Sequence, residues 1–148
     1  MHMIQDLLIA PAASLGELLL RITLAAVLFP HGAQKVLGWF GGPGWRQSYD
    51  FFTKSGIPGP LALTAMLTEF LAPIALLLGF MTRPAALGVV ILMIVAMSKH
   101  IHNGFFMNWF ANKKGEGFEY HIIYIGAALA LFFTGAGVFS LDALFFGY

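Results

Sequence analysis

Apolar residues dominate four windows of this chain, at about 15–37, 61–80, 84–102 and 119–139. Each is close to the 20 or so residues that a helix needs to cross a hydrocarbon core of about 30 Å. Three polar or turn-rich connections separate them. The first, Gly38 to Pro60, opens on Gly41-Gly42-Pro43-Gly44 and closes on Gly56-Ile57-Pro58-Gly59-Pro60, both strong turn signals. Inside it Trp45, Tyr49 and Phe52 recur at helical spacing on one side and Arg46, Asp50 and Lys54 on the other, which predicts a short helix lying in the membrane interface. The second connection is only Met81-Thr82-Arg83, so the helices beside it must be antiparallel neighbours. The third, Asn103 to Phe118, mixes Phe105, Phe106, Trp109 and Phe110 with the polar run Asn112 to Gly117, and aromatic rings of this kind anchor at headgroup depth.

The expected fold is therefore an all-α membrane protein, an antiparallel four-helix transmembrane bundle with a short interfacial helix in the first loop. No repeat, low-complexity tract or second domain is visible, and residues 1–148 read as a single transmembrane domain. The run Leu7-Leu8-Ile9-Ala10 is too short for a signal-peptide core and no Lys or Arg precedes it, so the first window is expected to act as its own targeting signal.

Composition agrees with this. The hydrophobic fraction is 59% and charged residues are 10%, against roughly 25% charged in an ordinary soluble domain. A mean hydropathy of +0.81 over 148 residues leaves a soluble fold too little polar surface to cover its exterior. The net charge of +1, with Lys and Arg scattered, removes nucleic acid as a partner, and membrane lipid takes its place. The absence of cysteine excludes disulfides, thiolate metal sites and thiol redox chemistry carried by the chain itself.

Positive charge is uneven along the thread. Arg46, Lys54, Lys113 and Lys114 lie in loops one and three, with Lys35 and Lys99 at the neighbouring helix ends, whereas the other side has Arg21 and Arg83. The positive-inside bias places loops one and three in the cytoplasm of a bacterium, with the chain a multi-pass protein of the inner membrane.

Ionisable groups within spanning helices are costly and carry a functional expectation by default. His31 and Lys35 fall near the loop-one end of the first helix, Lys99, His100 and His102 at the same end of the third, and Glu119 and His121 at the same end of the fourth. Glu69 lies eight residues past Leu61, about 12 Å deep at about 1.5 Å per residue. All four helices thus send polar groups into one leaflet, while the opposite leaflet has Glu17 with Arg21, an i, i+4 pair able to neutralise itself.

Glu69 has no opposite charge within a turn on its own helix, so its partner must come from another, with Lys35, Lys99 and the histidines as candidates. A structural salt bridge that fixes packing is the plain alternative to a working acid. His100 and His102 point about opposite ways, as do Glu119 and His121, so at most one of each pair faces inward. The expected inward set is His31, Lys35, Glu69, His100 and either His121 or Glu119, with Gln34 beside the first two. No Glu-x-x-His or His-x-x-x-His pair is present, so no metal site is assigned. Met66, Met93, Met97 and Met107 read as packing, and Gly126, Ala127, Ala130, Ala85, Ala86 and Gly88 as close helix contacts.

Several blocks together resemble the DoxX family of small bacterial membrane proteins. They are Leu20-Arg21 through His31-Gly32-Ala33-Gln34-Lys35, Glu69-Phe70-Leu71, Leu78 to Arg83, Asn103 to Trp109, Gly115 to His121, and Gly135-Ala136-Gly137 with Ser140-Leu141-Asp142. The resemblance runs from about Glu17 to Asp142. It implies a four-helix bundle and a quinone-linked redox association, since members are described as membrane components of redox or stress-related complexes. It supplies no catalytic residue set.

Three readings of the polar cluster stay open. In the first, a membrane subunit of a redox system binds a quinone, with His31 or His100 on a quinone carbonyl, Glu69 and Lys35 relaying protons, and Gln34, His121 and Trp109 completing the site. Trp39 and Trp45 would stand with Trp109 at the entrance, and redox partner proteins would carry the electrons. In the second, the pocket binds or transports a small solute or ion, which calls for a homo-oligomer, or the loops scaffold soluble partners. In the third the histidines hold haem or a metal.

Overall fold

The computed structural model describes residues 13–147, and the Leu7-Leu8-Ile9-Ala10 run lies outside them. Six α-helices follow in chain order among the described residues: α1 (Ala13–Val36), α2 (Gly44–Lys54), α3 (Gly59–Leu78), α4 (Thr82–His100), α5 (Glu119–Thr134) and α6 (Leu141–Phe146). Single 3-10 turns stand before α2 (Trp39–Gly41) and after α4 (Ile101–Asn103).

The boundaries follow from local chemistry. Pro58 precedes α3 and Pro60 sits in its first turn, where the missing N–H costs no intrahelical bond. Gly79 ends α3 in the left-handed region at φ 64, which lets its own N–H reach Leu76 O and the Phe80 N–H reach Ala75 O. The Met81-Thr82-Arg83 hairpin thereby turns α4 antiparallel to α3. In loop one, α2 forms where the aromatic and charged stripes alternate; Arg46, Asp50 and Lys54 are exposed, and Ser48 is buried as the helix lies against α1 and α3.

Among the described residues, three spans are long and apolar enough to cross a membrane: Leu15–Val36, Gly59–Leu78 and Thr82–Asn103. The fourth window was expected to run as helix to Phe139 and stops at Thr134 instead. Gly135 and Gly137 take φ of 88 and 75, values a right-handed helix does not contain. The 16 residues of α5 reach about 24 Å at about 1.5 Å per residue, and the buried turn Gly135–Gly137 and α6 complete the far end.

Helix α1 packs chiefly on α3, α3 on α4 and α4 on α5, and α1 meets α5 along a thinner seam. Leu24, Leu28, Leu76, Val89, Met93, Tyr124 and Leu131 fill the centre, while Leu19, Leu71, Ile91, Ile123 and Phe133 point outward to lipid. Met66 and Met93 are buried as expected of packing residues, Ala86 is fully enclosed, and Gly88 lies against Thr68. Gly126 makes no close approach and is exposed, contrary to its expected place at a helix contact. The tightest crossing is at Gly32, where a Cβ would run into the backbone of Glu69 and Phe70. Only glycine lets α1 come that close to α3.

At the far end the C-terminal segment folds back over the α3–α4 turn. Asp142 accepts the Met81 and Thr82 N–H groups at 2.7 and 2.9 Å, and its own N–H reaches Gly79 O at 2.8 Å. The fully buried Arg21 donates to Phe139 O at 2.5 Å. The near end, where α1 finishes, α3 starts, α4 finishes and α5 starts, holds most of the other ionisable groups.

Candidate functional site: a histidine cleft beside a buried ion pair

The near end contains two polar centres. In the first, Lys35 Nζ lies 2.5 Å from both Glu69 carboxylate oxygens, joining α1 to α3 one turn beyond the Gly32 crossing. Glu69 is buried, and the Lys35 ammonium also sits 5.8 Å from the Phe52 ring of α2, which roofs the pair. Glu69 therefore finds its counter-charge on another helix, and the counter-charge is Lys35 rather than Lys99.

The second centre is a cleft of about 370 Å³ lined by His31, His100, Met107, Trp109, Glu116, Tyr120 and His121. It opens where α1, α4 and α5 converge beneath loop three. His121 is buried, and its Nδ1 has no hydrogen-bond partner among the described residues. Its ring lies 5.2 Å from that of His100 with the planes 30° apart, and 4.6 Å from that of Tyr120. His100 Nδ1 is 3.2 Å from the Glu116 carbonyl, which fixes that imidazole while leaving its other nitrogen uncommitted to this bond. His31 is exposed on the α1 wall.

Loop three forms the outer wall. Glu119 Oε1 accepts the Met107 backbone N–H and the Trp109 indole N–H, both at 3.1 Å, and Glu116 Oε2 accepts the Asn108 N–H at 2.9 Å. The Phe118 and Glu119 N–H groups donate to Phe105 O, and Asn103 Nδ2 donates to Glu116 O at 2.9 Å. Gly117 packs where a Cβ would meet the Phe105 and Phe106 carbonyls.

The sequence-derived site is thus divided. His31, His100, His121 and Trp109 come together in the cleft. Lys35 and Glu69 pair beneath α2 and do not line it, whereas Tyr120 does. Gln34 turns toward loop one, with Nε2 3.4 Å from Phe40 O, and Trp39 packs edge-to-face with Phe29 instead of standing at the cleft. His100 is the inward member of its pair, and His102 is exposed in the following turn. Of the other pair, His121 faces the cleft and Glu119 ties down loop three. Tyr120, Glu116 and Met107 were not singled out as site residues. Tyr120 shares its position in the first turn of α5 with His121, the one sequence signal that could have pointed to it. Among the described residues no group of three His, Cys, Asp or Glu is arranged to hold a metal.

Apolar helices of spanning length, outward-facing aliphatic side chains and a polar cluster confined to one end define a multi-pass helical membrane protein. Residues 16–109 match the DoxX family, and the chain belongs to it. An uncharacterised protein of Haemophilus influenzae is 34% identical over 131 residues, covering 86% of this chain and 81% of the relative. No solved structure matches the chain.

Proposed function

We propose that the cleft binds the headgroup of a membrane-soluble quinone and that the chain serves as an integral membrane subunit of a redox system. The observation that carries this reading is the buried His121 facing His100 in one cleft, its Nδ1 making no hydrogen bond of normal geometry among the described residues. A buried polar nitrogen without a partner costs on the order of 1–3 kcal/mol, and a ligand carrying a hydrogen-bonding group removes that cost. The cleft volume lies within the about 300–1,000 Å³ of small-molecule sites.

A quinone suits the chemistry of the lining. The imidazole, phenol and indole side chains would flank its ring, His121 would donate to a carbonyl oxygen, and His100, whose Nδ1–H faces the Glu116 carbonyl, would accept a quinol hydroxyl at Nε2. Bound there, it supplies two-electron chemistry that cysteine cannot provide in this chain. We assign proton exchange to His31, exposed at the mouth, and to the Lys35–Glu69 pair at the same end of the bundle. Electrons come from a partner protein. Six of the eight Lys and Arg residues lie at the cleft end, which supports a bacterial inner-membrane location with loops one and three in the cytoplasm.

The test is binding of a short-chain ubiquinone to purified chain in lipid nanodiscs, with quinone analysis of the lipid that co-purifies. Binding that weakens about tenfold or more in His121→Ala and in His100→Ala, and less in His102→Ala, is the expected result. No binding to the unsubstituted chain, or equal effects at His102 and His121, would overturn the assignment.

A further inference from the structure

The wall of the cleft has an unusual source of order. Phe105, Phe106, Trp109 and Phe110 are all exposed, so loop three gains no fixed shape from burying its aromatic side chains against the bundle. Its conformation is set by hydrogen bonds, and three consecutive residues, Met107, Asn108 and Trp109, are each held by a carboxylate. Glu119 reaches back from the first turn of α5 to take two of them. Glu116 takes the third, while its carbonyl accepts Asn103 Nδ2 and lies against His100 Nδ1. Hydrogen bonds to an ionised carboxylate are about twice as strong as neutral ones, and the Asn108 side chain adds two neutral bonds to the Lys113 backbone. Two of the three residues the carboxylates hold, Met107 and Trp109, line the cleft, as does Glu116 itself.

We propose that Glu116 and Glu119 are positioning residues, a carboxylate clamp that holds Met107 and Trp109 as the cleft wall and on which ligand affinity depends. The inference rests on the cleft being a headgroup site, and it assigns neither glutamate any contact with the reacting atoms. One end of the clamp is anchored on α5 beside His121 and the other touches His100, so the wall is registered to both imidazoles that the ligand would meet.

Amide hydrogen exchange over residues 104–118 in nanodiscs, without ligand, reads the clamp directly. In Glu119→Ala the Met107 amide should exchange about tenfold faster or more, and in Glu116→Ala the Asn108 amide should do so. Glu119→Gln keeps an oxygen acceptor and should recover most of the protection, a rescue that general loosening of α5 would not show. Short-chain ubiquinone should bind about tenfold more weakly to Glu119→Ala and near normally to Glu119→Gln. Unchanged exchange in Glu119→Ala overturns the clamp whatever the quinone does. Faster exchange with unchanged affinity overturns its part in binding. If the unsubstituted chain fails to bind the probe, the headgroup reading falls, and the exchange data still decide whether the clamp exists.

Discussion

Lys35 and Glu69, 34 residues apart and on different helices, meet with the ammonium 2.5 Å from both carboxylate oxygens. The two ends of the pair differ in exposure: the Glu69 side chain is 8% accessible and that of Lys35 30%. Removing one partner therefore leaves unequal damage. Lys35→Met strands a buried carboxylate and should cost about 3 kcal/mol, the low end for a broken buried pair because water still reaches the Lys35 side. Glu69→Leu should cost less, since Lys35 can turn toward the interface. The double variant should recover most of the loss. Thermal unfolding of the four proteins in one detergent checks this, and additive losses would show that the pair is not coupled.

Gly32 makes that pairing geometrically available. Gly32→Ala places a methyl group against the Glu69 carbonyl and the Phe70 backbone, which cannot yield as a side-chain end would. An expected loss of about 1–3 kcal/mol follows from overpacking, together with separation of α1 from α3. Gly126→Ala, by contrast, meets open space and should be neutral or slightly stabilising through helix propensity. Equal melting shifts for the two variants would contradict the crossing.

Asp142 caps the start of α4 from 60 residues away, one carboxylate oxygen on each of two backbone N–H groups. Asp142→Ala should cost about 1 kcal/mol, as loss of an N-terminal cap does elsewhere. Asp142→Asn retains one oxygen and should lose about half as much. The same substitution should speed amide exchange at Met81 and Thr82 before it affects the cleft, because the two lie at opposite ends of the bundle.

Membrane orientation is open to a direct assay because the chain has no cysteine. Lys114→Cys in loop three and Leu144→Cys in α6 are both at exposed positions. An impermeant maleimide should label the first only in inverted vesicles and the second only in right-side-out ones. Labelling of both from one side would refute the antiparallel threading itself.

The resemblance read from separate sequence blocks is supported by the DoxX match across residues 16–109. Boundaries were legible where Gly and Pro punctuate the chain, as at Pro58-Gly59-Pro60 and Gly79. The fourth helix was read too long because Ala136, Val138 and Phe139 continue the apolar run. Hydropathy does not register that Gly135 and Gly137 leave the right-handed region. Gly126 was mistaken for a contact and Gly32 passed over for the same reason: composition shows that a residue is small, and only packing shows what lies against it.

Sequence by itself determined the apolar windows, the tight α3–α4 hairpin, the amphipathic α2 and the gathering of ionisable groups toward one end. These are properties of local order, carried by residue type and by spacing within one helix. The tertiary structure alone decided that Glu69 takes Lys35, that His100 and not His102 joins His121, and that Glu119 serves the loop. Those outcomes depend on how each helix is rotated about its axis and how deep it sits against its neighbours. In lipid an apolar helix carries no strong polar stripe to declare that rotation, so close contacts such as Gly32 on Glu69 set it instead.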